Sequence, residues 1–179
     1  MNLKKNKEFS ILFFFKKGRR ARIFDNKNFP SEFFYGYEEL EKEGYNVSIL
    51  EELDMSFQIK NYIFVKILNL ISKLMFDFPI KMILELLLNK TYKKINSANT
   101  VITTTNSIGL SLSFLKSLGI VRSKILFIYM GLLQNKPNFL RLKILRYIFK
   151  KVELLILSKA EYKFLKLLFL ESKVKYLPF

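Results

Sequence analysis

Short apolar runs alternate with longer amphipathic segments along this chain of 179 residues, and the alternation predicts an α/β fold. The apolar runs are continuous, as expected of strands that are buried on both faces of a sheet. The segments between them are long enough to form helical crossovers, which join parallel strands. We therefore expect one Rossmann-like domain over residues 1–179, with a doubly wound and mostly parallel sheet.

Six short segments have the composition of strands. Ile11–Phe15 consists only of large apolar residues, and Thr100–Thr104 is rich in β-branched residues, which favour strands. The predicted strands are Ile11–Phe15, Val47–Leu50, Thr100–Thr104, Ile125–Met130, Val152–Leu157 and Val174–Leu177.

Apolar residues recur at helical spacing between most of these strands. The first such segment begins at Ser31, and two helices are expected on either side of Pro79, because proline cannot continue a helix. Phe139–Phe149 predicts a basic amphipathic helix. The remaining start and end signals are Gly44, Gly119, and the possible capping box of Ser158 with Glu161.

Composition limits the chemistry that is open to this chain. It has no Cys and no His, which excludes thiol nucleophiles, Ser-His-Asp triads and the usual thiolate or imidazole metal sites. No metal site is expected, and catalysis would depend on carboxylates, hydroxyls, backbone amides or basic groups. Lys and Arg total 31 against 15 Asp and Glu, and the net charge of +16 predicts an anionic partner.

No segment has the sequence of a transmembrane helix. The longest charge-free run, Ile95–Leu115, contains repeated Thr, Asn and Ser, and the apolar stretch Phe57–Leu88 carries six charged residues. The apolar run after the basic N-terminus is too short for a signal peptide. We expect the protein in the cytoplasm, or peripherally on the inner face of the membrane.

The junction after the first strand is the first candidate site. Arginines next to the start of a helix can hold a phosphate or another anion, although a solvated basic loop has the same composition. Gly18 is the one glycine here, so neither a dinucleotide-binding fingerprint nor a P-loop is present. The candidate residues are Gly18, Arg19, Arg20, Asn28, Ser31 and Glu32.

The junction after the third strand is the second candidate site. Thr105, Asn106 and Ser107 follow this strand, at the edge where open α/β sheets bind their ligands. Their hydroxyl and amide groups could hydrogen-bond a sugar or a lipid headgroup. The same residues are also common helix caps, and both interpretations stay open at this point.

The basic helix is a candidate membrane-binding element. Lys143, Arg146 and Lys150 share one of its faces, together with Phe139 as an apolar anchor. An ordinary surface helix with snorkelling cations has the same pattern. Residues 1–54 carry ten basic and ten acidic groups, so the whole charge excess lies in residues 55–179, which favours a membrane face over nucleic acid.

Several blocks of the chain together resemble the N-terminal domain of GT-B glycosyltransferases of the family 4 type. The last block is moderately specific, whereas the others are patterns that many α/β domains share. In the family the final strand of this block typically runs on into a second domain. The blocks extend over nearly the whole chain from Ile11, and they are Ile11–Phe15 with Gly18–Arg20, Asn28–Gly36, Gly44–Val47, Asn99–Thr104, Val152–Glu161 and Val174–Phe179. The chain departs from many members by lacking a His near the reaction centre.

The resemblance implies a domain that positions an acceptor, either a cell-envelope sugar or a lipid-linked precursor, for transfer from a nucleotide-sugar. In this family the C-terminal domain holds most of the nucleotide-sugar, so the chain is expected to be inactive alone and to have no resident cofactor. A truncated product and one subunit of a split enzyme, partnered by a separately encoded donor domain, are both compatible with this. The predicted acceptor-binding residues are those of the two junctions.

The alternative function is a basic peripheral membrane-binding module without catalysis. Nucleic-acid binding is not expected, because the sequence has no recognition motif and dispersed cations give only non-specific, salt-sensitive affinity.

Overall fold

The computed structural model describes residues 9–21, 36–55, 63–75, 78–131 and 139–178. A six-stranded sheet runs through these ranges, and every strand boundary lies within one residue of its prediction. The strands are β1 (Ser10–Phe15), β2 (Asn46–Glu51), β3 (Thr100–Thr103), β4 (Lys124–Tyr129), β5 (Glu153–Ile156) and β6 (Lys173–Tyr176).

All the strand pairs in this sheet are parallel, and their order is β2-β1-β3-β4-β5-β6. Phe13 of β1 lies opposite Ile49 of β2 on one side and Ile102 of β3 on the other. Parallel neighbours need long crossovers, which here are largely helical. The predicted α/β class with a parallel sheet is confirmed, and the architecture is consistent with a Rossmann-like fold.

Helices connect most of the strands within the described residues. A single 3₁₀ turn, Glu52–Asp54, follows β2 directly. The helices are α1 (Tyr37–Lys42), α2 (Ile63–Met75), α3 (Ile80–Leu88), α4 (Thr91–Asn96), α5 (Asn106–Ser117), α6 (Phe139–Phe149) and α7 (Lys159–Leu168).

The sequence of strand β1 is apolar without interruption because both of its faces are buried. Leu12 and Phe14 face the larger core, which contains residues of α3, α5, α6 and α7. Ile11, Phe13 and Phe15 face a smaller core on the opposite side of the sheet. All five side chains are buried, because alternate residues of a strand point to opposite faces and both faces are covered.

The smaller core is covered in part by α1. Tyr37 of this helix packs edge-on against Phe13, with the ring centroids 5.5 Å apart. Gly36 precedes the helix with a left-handed φ of 84°, a conformation that favours glycine, and α1 begins at Tyr37. The predicted helix start at Ser31 lies outside the described residues.

Helix α5 is the central helix of the larger core, although it is rich in serine. Its buried serines form hydrogen bonds within the helix: Ser111 Oγ donates to the carbonyl of Ser107 at 2.7 Å, and Ser113 Oγ donates to that of Gly109 at 2.6 Å. Hydroxyls that bond within their own helix can be buried without an unpaired donor. The small residues also let α5 approach β4 closely.

Helix α2 has an apolar face that solvent reaches. Ile63, Ile67, Leu70 and Ile71 are all exposed large hydrophobic residues of this helix. Their helical spacing puts them on one face, but amphipathicity does not identify what a face packs against. In contrast, Ser72 is buried, and its hydroxyl donates to the carbonyl of Phe78.

Helix α7 begins at the predicted cap. Ser158 Oγ accepts a hydrogen bond from the backbone N–H of Glu161, which is one half of a capping box. The Glu161 carboxylate does not complete the box. It accepts instead from the backbone N–H of Gly131, 2.9 Å away, in the loop after β4.

Candidate functional site

We call the edge at which the strands end and the loops after β1 to β5 begin the carboxyl edge. The strand order reverses beside β1. The chain leaves β1 to form β2 on one side and returns to form β3 on the other. In open parallel sheets, loops diverge at such a point and leave a crevice in which ligands bind. A crevice of about 390 Å³ lies there, lined by residues of the β1, β2 and β3 ends and of α3.

The crevice has groups of both charges. Lys16 and Lys17 follow β1, and Lys81 lies on α3, where its amino group is 3.8 Å from the carboxylate of Glu85. Glu85 is buried although its side chain is acidic. Such a mixed lining can bind a ligand that has both an anionic group and hydroxyls.

Glu52 is the second carboxylate of the crevice. Burial raises its pKa above the ordinary value, and Glu85 raises it further, whereas the cations of Lys16 and Lys81 act in the opposite direction. A carboxylate with a raised pKa at a ligand-binding edge is a better proton acceptor than an ordinary glutamate. Glu52 is therefore the described residue of the crevice with the clearest potential for proton transfer.

The loop after β1 is held by a carboxylate of the protein itself. The backbone N–H groups of Gly18 and Arg20 donate to Glu51 at 3.2 and 2.5 Å. Gly18 adopts a left-handed φ of 87°, which helps to turn both N–H groups toward one point. Glu51 thus occupies the anion position that the sequence assigns to a ligand.

The side chain of Arg20 is likewise paired with a carboxylate of the protein itself. Its guanidinium donates to both oxygens of Asp54, at 3.0 and 2.5 Å, and to the carbonyl of Ile49. Burial alone would raise the pKa of Asp54, but the hydrogen bond from Arg20 and the N–H of Glu51 hold it below its ordinary value. In this arrangement Arg20 ties the β1 loop to the end of β2.

The other predicted residues of this junction have separate positions. Arg19 lies over the ring of Phe15, with its Cζ atom 5.8 Å from the ring centroid. Asn28, Ser31 and Glu32 lie outside the described residues, so their part in a site stays a prediction.

The residues after β3 were predicted either to bind a ligand or to cap the next helix, and they differ in which of these positions they occupy. Thr105 stands at the cap of α5 without a side-chain cap bond, and Ser107 lines the crevice. Asn106 donates from Nδ2 to the carbonyl of Met130 at 2.9 Å, which connects the ends of β3 and β4. Its Oδ1 atom is buried and has no hydrogen-bond partner among the described residues.

The predicted membrane-binding cations lie at the other end of the fold. Lys143, Arg146 and Lys150 line a groove between α6 and the turn that connects α7 with β6. Arg146 Nε donates to the carbonyl of Leu168 at 2.8 Å, and Lys150 pairs with Glu171. The structure brings the three residues together, but it also ties two of them to the α7–β6 turn.

Sequence reasoning missed most of the crevice. Glu51, Glu52 and Asp54 form an acidic group directly after β2. Because the carboxyl ends of parallel strands meet at one edge, these residues could have been placed beside the β1 loop. Lys81 and Glu85 had no such signal, since their contribution depends on how α3 packs.

No protein-family model, no curated protein and no solved structure matches this chain. Within the described ranges, no helix is long and apolar enough to cross a bilayer. Among the same residues there is also no cluster of acidic side chains arranged to hold a metal ion.

Proposed function

We propose that this chain is the acceptor-side domain of a glycosyltransferase and that it binds an acceptor sugar, free or lipid-linked, in the crevice at the carboxyl edge. The observation that carries the proposal is the lining of that crevice, which includes three lysines, two carboxylates and Ser107. Carboxylates and hydroxyls bind sugar hydroxyls, and lysines bind a phosphate on the sugar or its carrier.

Glu52 has the proton-accepting role in this proposal. Transfer of a glycosyl group requires the attacking acceptor hydroxyl to lose a proton, and a carboxylate with a raised pKa accepts one more readily than an ordinary glutamate. Lys16 and Lys81 stay close enough to influence the charge of Glu52, so an anionic acceptor that neutralises them would raise its pKa further.

The resemblance to GT-B transferases implies that acceptor and donor are bound by two different domains. In that family the nucleotide-sugar is held mainly by the C-terminal domain and enters as a co-substrate. We therefore expect the 179-residue chain to bind acceptor without transferring sugar, and to need a donor-binding domain for turnover.

The test is a titration of the ¹⁵N-labelled chain with glucose 1-phosphate, N-acetylglucosamine 1-phosphate and unphosphorylated glucose, followed by NMR. The sugar phosphates should shift the amide signals of Lys16, Lys17 and Ser107. The double variant Lys17→Ala/Lys81→Ala should bind them about tenfold more weakly, because it removes two charge-assisted contacts. The control Lys42→Ala/Lys159→Ala removes the same charge elsewhere and should bind normally.

Two results would contradict the proposal. Sugar phosphates that leave the crevice signals unshifted would remove the acceptor site. Release of nucleoside diphosphate from UDP-glucose by the 179-residue chain alone would contradict the division of the reaction between two domains.

A further inference from the structure

The edge of the sheet opposite the crevice, which we call the amino edge, is strongly basic. It is the region in which α5, α6 and α7 end and β4, β5 and β6 begin. Two grooves lie there, one of about 360 Å³ beside α6 and one of about 430 Å³ at the strand starts. Lys150 lines both, so they form one continuous surface.

The charge of this surface is unbalanced. Eight basic and two acidic side chains line the two grooves together. Both acidic residues are already paired: Glu153 contacts Lys124 and Lys175 at 3.2 and 3.1 Å, and Glu171 pairs with Lys150. The groove at the strand starts has the cations Lys116, Arg122, Lys124, Lys150, Lys151 and Lys173.

Some of these cations are held in place although they repel one another. The amino group of Lys116 donates to the carbonyls of Arg122 and Ser123 at 3.0 and 2.7 Å, and that of Lys151 donates to the carbonyl of Ser117 at 3.3 Å. Burial lowers the pKa of Lys116, and the nearby charge of Lys151 lowers it further. A bound anion would relieve this repulsion.

A position near the C-terminus of a helix explains only part of the cluster. Cations commonly gather at the C-termini of helices, which accounts for Lys116 and Lys151. It does not account for Arg122 and Lys173, which lie next to β4 and at the first position of β6.

Large apolar side chains are exposed at the ends of the same helices, and Tyr147 and Leu170 line the groove beside α6. Leu167 and Leu170 are 73% and 81% exposed, and Leu118 and Tyr147 are more than half exposed. Leu118 directly follows α5, Tyr147 lies near the end of α6, and the other two lie at and beyond the end of α7. Exposed apolar residues grouped with cations are typical of surfaces that bind other molecules.

We propose that the amino edge docks on the surface of an anionic lipid bilayer. The cations contact the phosphates of the headgroups, and the leucines and Tyr147 enter the boundary with the acyl chains. A single-stranded nucleic acid would be held by cations with stacked aromatic rings, whereas three of the four exposed apolar residues here are leucines. This docking surface is larger than the face of α6 and does not depend on the ligand of the crevice.

The experiment is co-sedimentation of the full chain with vesicles of phosphatidylcholine alone or mixed with phosphatidylglycerol. Binding is expected on the anionic vesicles and should fall more than tenfold in Lys143→Glu/Lys173→Glu. The matched control Lys42→Glu/Lys159→Glu has the same charge change on α1 and in the first turn of α7, and it should bind like the wild type. Circular dichroism checks that every variant is folded.

The apolar contribution is tested by Leu167→Ser/Leu170→Ser, which keeps the net charge and changes side chains that are already exposed. This variant should bind anionic vesicles several-fold more weakly. Equal losses in the two charge-reversal variants, unchanged binding of the leucine variant, or binding of single-stranded RNA but not of anionic vesicles would each overturn the proposal.

Discussion

Neighbouring carboxylates after β2 differ because their surroundings differ. Glu51 accepts backbone N–H groups of the β1 loop, and Asp54 pairs with the guanidinium of Arg20. In contrast, burial raises the pKa of Glu52. Three acidic residues within four positions therefore differ: one holds a loop, one forms an ion pair and one lines the crevice, and only their tertiary contacts distinguish them.

Asp54→Asn should destabilise the protein by about 1 kcal/mol, a modest value because the pair with Arg20 is partly exposed and screened by solvent. The folded pKa of Asp54 lies below its ordinary value of 3.8. Its stabilising contribution is therefore fully present above the unfolded pKa and is lost as the pH falls through the folded pKa. Urea unfolding of both proteins at pH 7 and at successively lower pH measures this difference.

Glu52→Gln is the control for this measurement. Burial disfavours the charged form of Glu52, so removing its charge should leave stability at pH 7 unchanged or slightly higher. A loss of stability in Glu52→Gln as large as that in Asp54→Asn would show that the two carboxylates are not in different environments.

At the scale of elements, the position of α5 determines how the larger core packs. This helix lies against β4 on one side and beside α3 and α6 on others. A Cβ atom at Gly109 would lie 2.4 Å from a ring carbon of Phe127 in β4, so only glycine fits at this distance. Gly109 lowers the helix propensity of α5, but it permits the close approach.

Gly109→Ala should therefore destabilise the protein, although alanine is the better helix former. The gain in propensity is about 1 kcal/mol, and overpacking against a buried ring costs typically 1–3 kcal/mol, so we expect a net loss of up to about 2 kcal/mol. Thermal unfolding of the variant measures it. A second change, Phe127→Leu, should restore part of the loss by making room, and an unaltered or raised Tm in Gly109→Ala would contradict the close packing.

At the scale of the whole molecule, the two proposed surfaces lie at opposite edges of one sheet. Parallel strands place all their carboxyl ends together and all their amino ends together, and returning helices bring their own C-termini to the amino edge. A chain with this topology can face a membrane with one edge and a ligand with the other.

Changes at the two edges should therefore be independent, since distant sites without shared partners are additive. Lys17→Ala/Lys81→Ala should lose affinity for sugar phosphates and still bind anionic vesicles. Lys143→Glu/Lys173→Glu should show the opposite pattern. The two assays performed on both variants test this, and a folded variant that is impaired in both would contradict the separation of the surfaces.

Much of the fold could be predicted from the order of residues alone. The strands were placed within one residue, because a continuous apolar run such as Ile11–Phe15 is a local signal. The left-handed turn at Gly36 was not predicted, because the helical spacing of the apolar residues continues across it to Tyr37 and Leu40. The predicted acceptor residues were only partly brought together: Ser107 lines the crevice, whereas Arg20 pairs with Asp54.

The sequence by itself determined the α/β class, the positions of the strands and the absence of thiol and imidazole chemistry, since these follow from composition and short-range periodicity. The tertiary structure alone decided that Glu51 fills the β1 loop, that Lys81 and Glu85 face Glu52, and that Lys143 and Lys173 belong to one surface. The physical reason is the distance along the chain between the residues that interact. Periodicity reports which face of an element is apolar, but the partner of a charged group depends on residues far along the chain that packing brings near.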